Sequence, residues 1–116
     1  MKVVATERAR ELIRDRGGQV WVWLDPHAWL AGGYVWLEAH CEAPGTSRAT
    51  RFTRASRRAH RFRPAEADGF ELNVDFGRLE PPDELLLDVR GIVNKRLEAY
   101  WNGNWFVEAD RPAGSG

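Results

Sequence analysis

Cys41 is the only cysteine in this 116-residue chain. One thiol cannot close an internal disulfide, and it falls short of the clustered thiolates that structural zinc or an iron–sulfur centre takes from a single chain. The sequence also lacks any apolar run near the ~18 residues needed to cross a membrane as a helix. Its opening, MKVVATERARELIRDR, is charged where a secretory leader would be apolar. These absences predict a cytoplasmic protein with no membrane contact. Net charge is zero, whereas a dedicated nucleic-acid domain is basic as a whole. Glycine pairs occur only at Gly17-Gly18 and Gly32-Gly33. Neither has the spacing of a phosphate-binding or dinucleotide-binding loop, so both read as turns. No Gly-x-Ser-x-Gly elbow surrounds a nucleophile, and no pair of carboxylates stands out for acid–base work. An enzyme is therefore not the expectation.

What is present is tryptophan. Six of them, Trp21, Trp23, Trp29, Trp36, Trp101 and Trp105, sit in a chain that is 43% hydrophobic. Large rings bury much area per residue, so the expectation is that Trp21, Trp23 and Trp36 anchor a core. A ligand-stacking face is the alternative. The length fits one domain over residues 1–110, followed by a frayed tail at 111–116.

Along the chain, Thr6-Glu7 opens a helix. Ala9, Leu12, Ile13 and Arg16 follow at helical spacing, and Gly17-Gly18 closes it, which predicts a helix over 6–16. QVWVWL (19–24) and YVWLEAH (34–40) read as two strands, most simply antiparallel, the first central because both its faces are apolar. Phe70 to Phe76 alternates apolar and polar with period two, a half-buried strand. In the last third, Leu86, Val89, Val93, Leu97 and Tyr100 mark a helical stripe. Gly91 and the hairpin-forming pair Asn102-Gly103 oppose it, so strands at 85–93 and a hairpin across 97–108 are preferred. The class is α+β, an N-terminal helix followed by a mostly antiparallel, strand-rich sandwich.

Charge is unevenly spread. Residues 48–63 hold Arg48, Arg51, Arg54, Arg57, Arg58, Arg61 and Arg63 and no acid, while residues 64–116 carry 11 acidic groups. Strands at Arg51–Thr53 and His60–Phe62 around a turn near Ser56-Arg57 are the preferred reading of this run. A helix presenting Phe52, Ala55, Ala59 and Phe62 on one face is the other. Arginine forks suit phosphate oxygens, and the interleaved rings suit base stacking. Arg51, Arg54, Arg57, Arg58 and Arg61 are therefore candidate phosphate or partner contacts. The plain alternative is a solvated face pairing with the acidic half, and nucleic acid is not the expected partner. His40-Cys41-Glu42 places three ligand types in a row. Neighbours on a strand point to opposite faces, so only His40 and Glu42 would converge. No metal site is predicted.

The order helix, Gly-Gly, strand, Gly-rich turn, strand resembles the HesB-like domain of A-type iron–sulfur scaffold proteins. VVATERARELIRDRGG is similar to that family's opening and VWVWLDPHAWLAGGYVWLE to its first hairpin. DGFELNVDFGRL, with Val74-Asp75, resembles its later strand, and AYWNGNWFVEADRP its terminal aromatic strand. The family's working residues are three cysteines, one in the first hairpin's turn and two in a Cys-x-Cys near the C-terminus. Here the turn holds Ala28, Trp29, Leu30 and Ala31, and the C-terminal end holds no thiol. The resemblance thus implies a degenerate HesB-like domain without cofactor, a non-catalytic binding or interaction module, with a homo-oligomer or another protein as partner. A pocket around His27, Trp29, Trp36 and Cys41 is its candidate site. A cluster carried by Cys41 residues of several chains, and weak phosphate contact through 48–63, are the alternatives.

Overall fold

A computed structural model describes residues 1–25, 34–44 and 61–108. The helix forms where its signals lie. Thr6 is extended (φ −65°, ψ 160°), and its Oγ1 accepts from the Ala9 amide at 3.2 Å, which satisfies one of the unpaired donors of the first turn. Helix α1 runs Glu7–Asp15 and turns Ala9 and Ile13 into the interior, both essentially inaccessible. Gly17 (φ +114°) and Gly18 (φ +81°) then leave the helix, and the Gly18 amide donates to the Ile13 carbonyl at 2.8 Å.

Two sheets follow from the apolar strands. The larger has the order β4-β5-β2-β3-β8, built from β2 (Gln19–Asp25), β3 (Tyr34–His40), β4 (Arg63–Ala65), β5 (Glu71–Asp75) and β8 (Phe106–Glu108). The smaller has the order β1-β6-β7, built from β1 (Lys2–Ala5), β6 (Glu84–Arg90) and β7 (Arg96–Trp101). β2 and β3 pair antiparallel, as the sequence predicts, with Val22 opposite Ala39, and β2 is interior, flanked by β3 and β5. The pairs β1–β6 and β2–β5 are parallel, and the remaining four are antiparallel. Helix α1 makes the crossover from β1 to β2 and packs on β6.

The core lies where the inner faces meet. Val20, Val22, Ala39 and Leu72 come from the larger sheet and Leu85, Leu87, Val89, Leu97 and Ala99 from the smaller, capped by Ala9 and Ile13. β6 and β7 alternate strictly, buried apolar against exposed or half-buried residues. The expected α+β class, with one N-terminal helix and a strand-rich remainder, is what the chain adopts.

Three expectations need correction. The strand predicted over 85–93 ends at Arg90, because Gly91 turns to φ +94° and opens a hairpin between β6 and β7. The Asn-Gly turn exists: Asn102 (φ +47°) and Gly103 (φ +88°) let Trp101 and Asn104 bond each other's backbone in both directions. The strands around it do not form the predicted hairpin, since β7 pairs with β6 and β8 pairs with β3, so the turn passes the chain from one sheet to the other. Trp36 is 42% exposed and is not a core ring, whereas Trp23 is fully buried and Trp21 half-buried. The helix begins after an unforeseen strand, β1. Most of the arginine run, residues 48–60, lies outside the described residues, as does the tail at 111–116. Arg61 and Phe62 precede a strand that starts at Arg63.

Candidate functional site

Strand alternation divides β3 between two environments. Leu37 and Ala39 belong to the core side, while Trp36, Glu38 and His40 share the other face with Trp23, which stands opposite Glu38 in register. β7 divides in the same way, with Leu97 and Ala99 inward and Arg96, Glu98 and Tyr100 outward. β3 and β7 approach each other, although they belong to different sheets. Between them runs a groove of about 400 Å³, bordered by these outward side chains and by Arg90 and Trp105.

The groove's two carboxylates are each paired within it. His40 Nε2 lies 2.9 Å from Glu38 Oε2, and the imidazole stacks on Trp23 with ring centres 4.9 Å apart and planes within 22°. Tyr100 donates its hydroxyl to Glu98 Oε2 at 2.6 Å, and Arg90 donates to Glu98 Oε1 at 3.2 Å. The bond to Glu98 pushes the Tyr100 hydroxyl above its ordinary pKa. Burial and the charges of Glu98 and Asp88 act in the same direction, while Arg90 opposes them. Tyr100 is thus a neutral donor. At one end Trp36 and Trp105 meet at 5.3 Å with planes tilted by 57°, and Trp105 contacts Phe106 edge-on at 5.3 Å. Trp105 is 51% exposed.

The predicted pocket falls partly outside the described residues. His27 and Trp29 lie outside the described residues. Cys41 packs against the core cluster, while Trp36 faces the outer groove, so these two do not share a cavity. Burial pushes the Cys41 thiol upward; Arg16 lowers it and Glu42 raises it further. The free thiolate is therefore disfavoured, contrary to what a nucleophile needs. His40 pairs with Glu38 rather than converging with Glu42, which is exposed. Among the described residues no three His, Cys, Asp or Glu side chains are grouped to hold a metal ion.

Of the candidate arginines, Arg51, Arg54, Arg57 and Arg58 lie outside the described residues. Arg61 is exposed, and its backbone amide donates to Asp75 Oδ2 at 3.2 Å. With Arg63 it borders a hollow of about 430 Å³ that also holds Asp75, so anion contact there meets a carboxylate. A wider hollow of about 800 Å³ beside Pro64–Asn73 carries Glu66, Asp68 and Glu71 in solvent and only Phe70 as a ring. No helix among the described residues is long and apolar enough to cross a membrane.

The groove residues Glu98, Tyr100 and Trp105 were missed in the sequence because a helical stripe competed for this stretch. The usable signal was the polar alternation Arg96, Glu98, Tyr100 against Leu97 and Ala99. In comparison with known proteins, no family model, no curated protein and no solved structure matches the chain.

Proposed function

We propose that the chain is a non-catalytic, cytoplasmic binding module of HesB-like type that lacks the cluster cysteines and grips a partner polypeptide in the groove between β3 and β7. The observation that carries this reading is the exposed pair Trp36 and Trp105 at a groove that also presents Tyr100, Arg90 and Arg96. Trp, Tyr and Arg are the residue types that dominate binding energy at protein interfaces. The carboxylates are already answered, Glu38 by His40 and Glu98 by Arg90 and Tyr100. The aromatic faces are then the main free recognition elements, and they favour apolar or aromatic anchors of a peptide over a free ion. A single, half-buried Cys41 weighs against an iron–sulfur carrier. Phosphate contact near Arg61 and Arg63 remains the alternative.

The test is selection of displayed random peptides on the parent protein, followed by affinity measurement on Trp36→Ser and Trp105→Ser. Both positions are largely outside the core, so both variants fold. Peptides that bind at micromolar strength and lose at least tenfold on Trp105→Ser support the reading, since hot-spot rings are worth about 2 kcal/mol or more. Failure to enrich any peptide, or binders indifferent to both variants, overturns it. Sedimentation velocity on the same set reads whether a second copy of the chain is the partner.

A further inference from the structure

The hairpin between β6 and β7 ends in an unusual tip. Arg90 and Arg96 form its last pair, and residues 91–95 make the turn. Ile92 is 87% and Val93 90% exposed, the two most solvent-open large apolar residues described. Lone exposed apolar residues are common on protein surfaces. Here two adjacent branched side chains stand together at a turn whose shape is enforced. Gly91 sits at φ +94°, and a Cβ there would come within 2.5 Å of the Asn94 carbonyl oxygen. Only glycine allows this closure, and the closed turn leaves Ile92 and Val93 no neighbour to cover them.

Cations surround the tip. Lys95 lies in the turn, with Arg90 and Arg96 at its base. Two more come from helix α1 and the residue that caps it: Arg8 reaches the Gly91 carbonyl at 3.4 Å, and Arg16 reaches the Lys95 carbonyl at 3.3 Å. Glu98 offsets Arg90, and residues 90–96 themselves contain no acid. The chain is neutral as a whole, so this end is locally basic against the average.

We infer that this tip docks the protein on an anionic membrane surface, with Ile92 and Val93 entering the headgroup boundary and Arg8, Arg16, Lys95 and Arg96 facing acidic lipid heads. An apolar pair ringed by cations matches the two components of peripheral attachment: buried apolar area and attraction to anionic lipid. Nucleic acid would use the cations but leaves Ile92 and Val93 without a role on the phosphate backbone. The absence of a membrane-crossing helix is compatible with this, because the contact is with the surface alone. The inference does not rest on the groove.

The test is co-sedimentation with phosphatidylcholine vesicles with and without about 30% phosphatidylserine, at roughly 0.1 M salt. The variants are Ile92→Ser/Val93→Ser and Arg8→Ser/Lys95→Ser, neither of which touches a groove residue. All four side chains are exposed, so unchanged thermal melts confirm that the variants are folded. The parent is expected to bind the anionic vesicles and not the neutral ones. Each cation is worth about a fivefold change in partitioning, so Arg8→Ser/Lys95→Ser loses roughly twentyfivefold. Ile92→Ser/Val93→Ser loses at least about tenfold. Three results overturn the inference: no binding by the parent, equal binding to both vesicle types, or binding that survives loss of Ile92 and Val93. Duplex DNA binding that depends on Arg8 and Lys95 but not on Ile92 and Val93 would assign the tip to nucleic acid instead. Peptide binding in the groove that is unaffected by either tip variant keeps the two readings separate.

Discussion

Trp23→Ala separates the buried tryptophan from the exposed ones. Trp23 is inaccessible to solvent, yet its register with Glu38 and Asp75 places it on the polar face of the larger sheet, away from the main core. It is covered by His40, stacked at 4.9 Å, and by Phe62, edge-on at 6.2 Å. A buried tryptophan removes roughly 150–250 Å² from water. At about 25 cal/mol per Å², that is an upper bound of some 4–6 kcal/mol. Truncations of buried rings to alanine cost about 3–5 kcal/mol in practice. Neighbouring rings can relax into part of the vacated space, so the lower part of that range applies, about 3–4 kcal/mol. For a domain of this size each kcal/mol moves the melting temperature by roughly 4 °C, giving a drop of about 12–16 °C. Trp36→Ala, at a ring 42% exposed, should cost about 2 kcal/mol and roughly 8 °C. The assay is thermal and urea unfolding followed by far-UV circular dichroism, since the substitutions themselves remove tryptophan fluorescence. A Trp23→Ala protein that melts within about 3 °C of the parent, or a Trp36→Ala protein that falls as far, would refute this division.

Other outcomes follow from single contacts. Thr6→Ala removes both the helix cap at Ala9 and the 2.8 Å bond that Thr6 donates to Asp88, and should cost about 1–2 kcal/mol in urea unfolding. A cycle with Asp88→Ala should show coupling of roughly 0.5 kcal/mol or more, and additivity would show that the two are independent. Because burial raises the Cys41 thiol, its reaction with a disulfide reagent near pH 7.5 should be slower than that of a small free thiol. Arg16→Ser should slow it further and Glu42→Gln should speed it, measured by absorbance of the released thiolate. Tyr100 holds its proton more tightly folded than unfolded. The stability this contributes is complete below pH about 10 and is lost as pH rises through the folded value, so the parent should lose stability with alkali faster than Tyr100→Phe. Parallel loss in both proteins would remove Tyr100 from the account.

Much of the fold was legible because local signals agreed with the packing. Thr6, the Ala9/Ile13 spacing and Gly17-Gly18 place α1 to within a residue at each end. QVWVWL and YVWLEAH gave β2 and β3 with correct pairing, and the alternation of Phe70–Phe76 gave β5. What failed was non-local. β1 is four residues long and becomes a strand only by lying parallel to β6, more than eighty positions away. The Asn-Gly turn was correctly located, but a turn does not reveal whether its arms stay in one sheet. Trp36 illustrates the same limit. Trp36 shares its face of β3 with Glu38 and His40, and only the three-dimensional pairing decides which ring is covered. The groove was illegible for the same reason, since its walls come from strands some sixty residues apart in the chain.

The two proposed surfaces meet at β7 and the end of β6. Each of these strands performs two tasks through its alternation. Leu87, Val89, Leu97 and Ala99 hold the sheet to the core, while Arg90, Arg96, Glu98 and Tyr100 are presented outward. Ala39 and Ala99, both nearly inaccessible, are the small residues on the strands that approach from the two sheets, and their size lets β3 and β7 come close enough to share one groove. Core and recognition residues are therefore separable at single positions, since a change on an outer side chain leaves its inner neighbours in place. Arg90 and Arg96 are the exception, because they border the groove and also flank the Ile92-Val93 tip. An anionic surface that drew on those two arginines would compete with Glu98 for Arg90, and the hydrogen-bonded set formed by Glu98, Tyr100 and Arg90 would loosen. On these two proposals, contact at the tip and contact in the groove would be linked through Glu98, so groove-peptide affinity measured with and without anionic vesicles should differ, and equal affinities would refute the link.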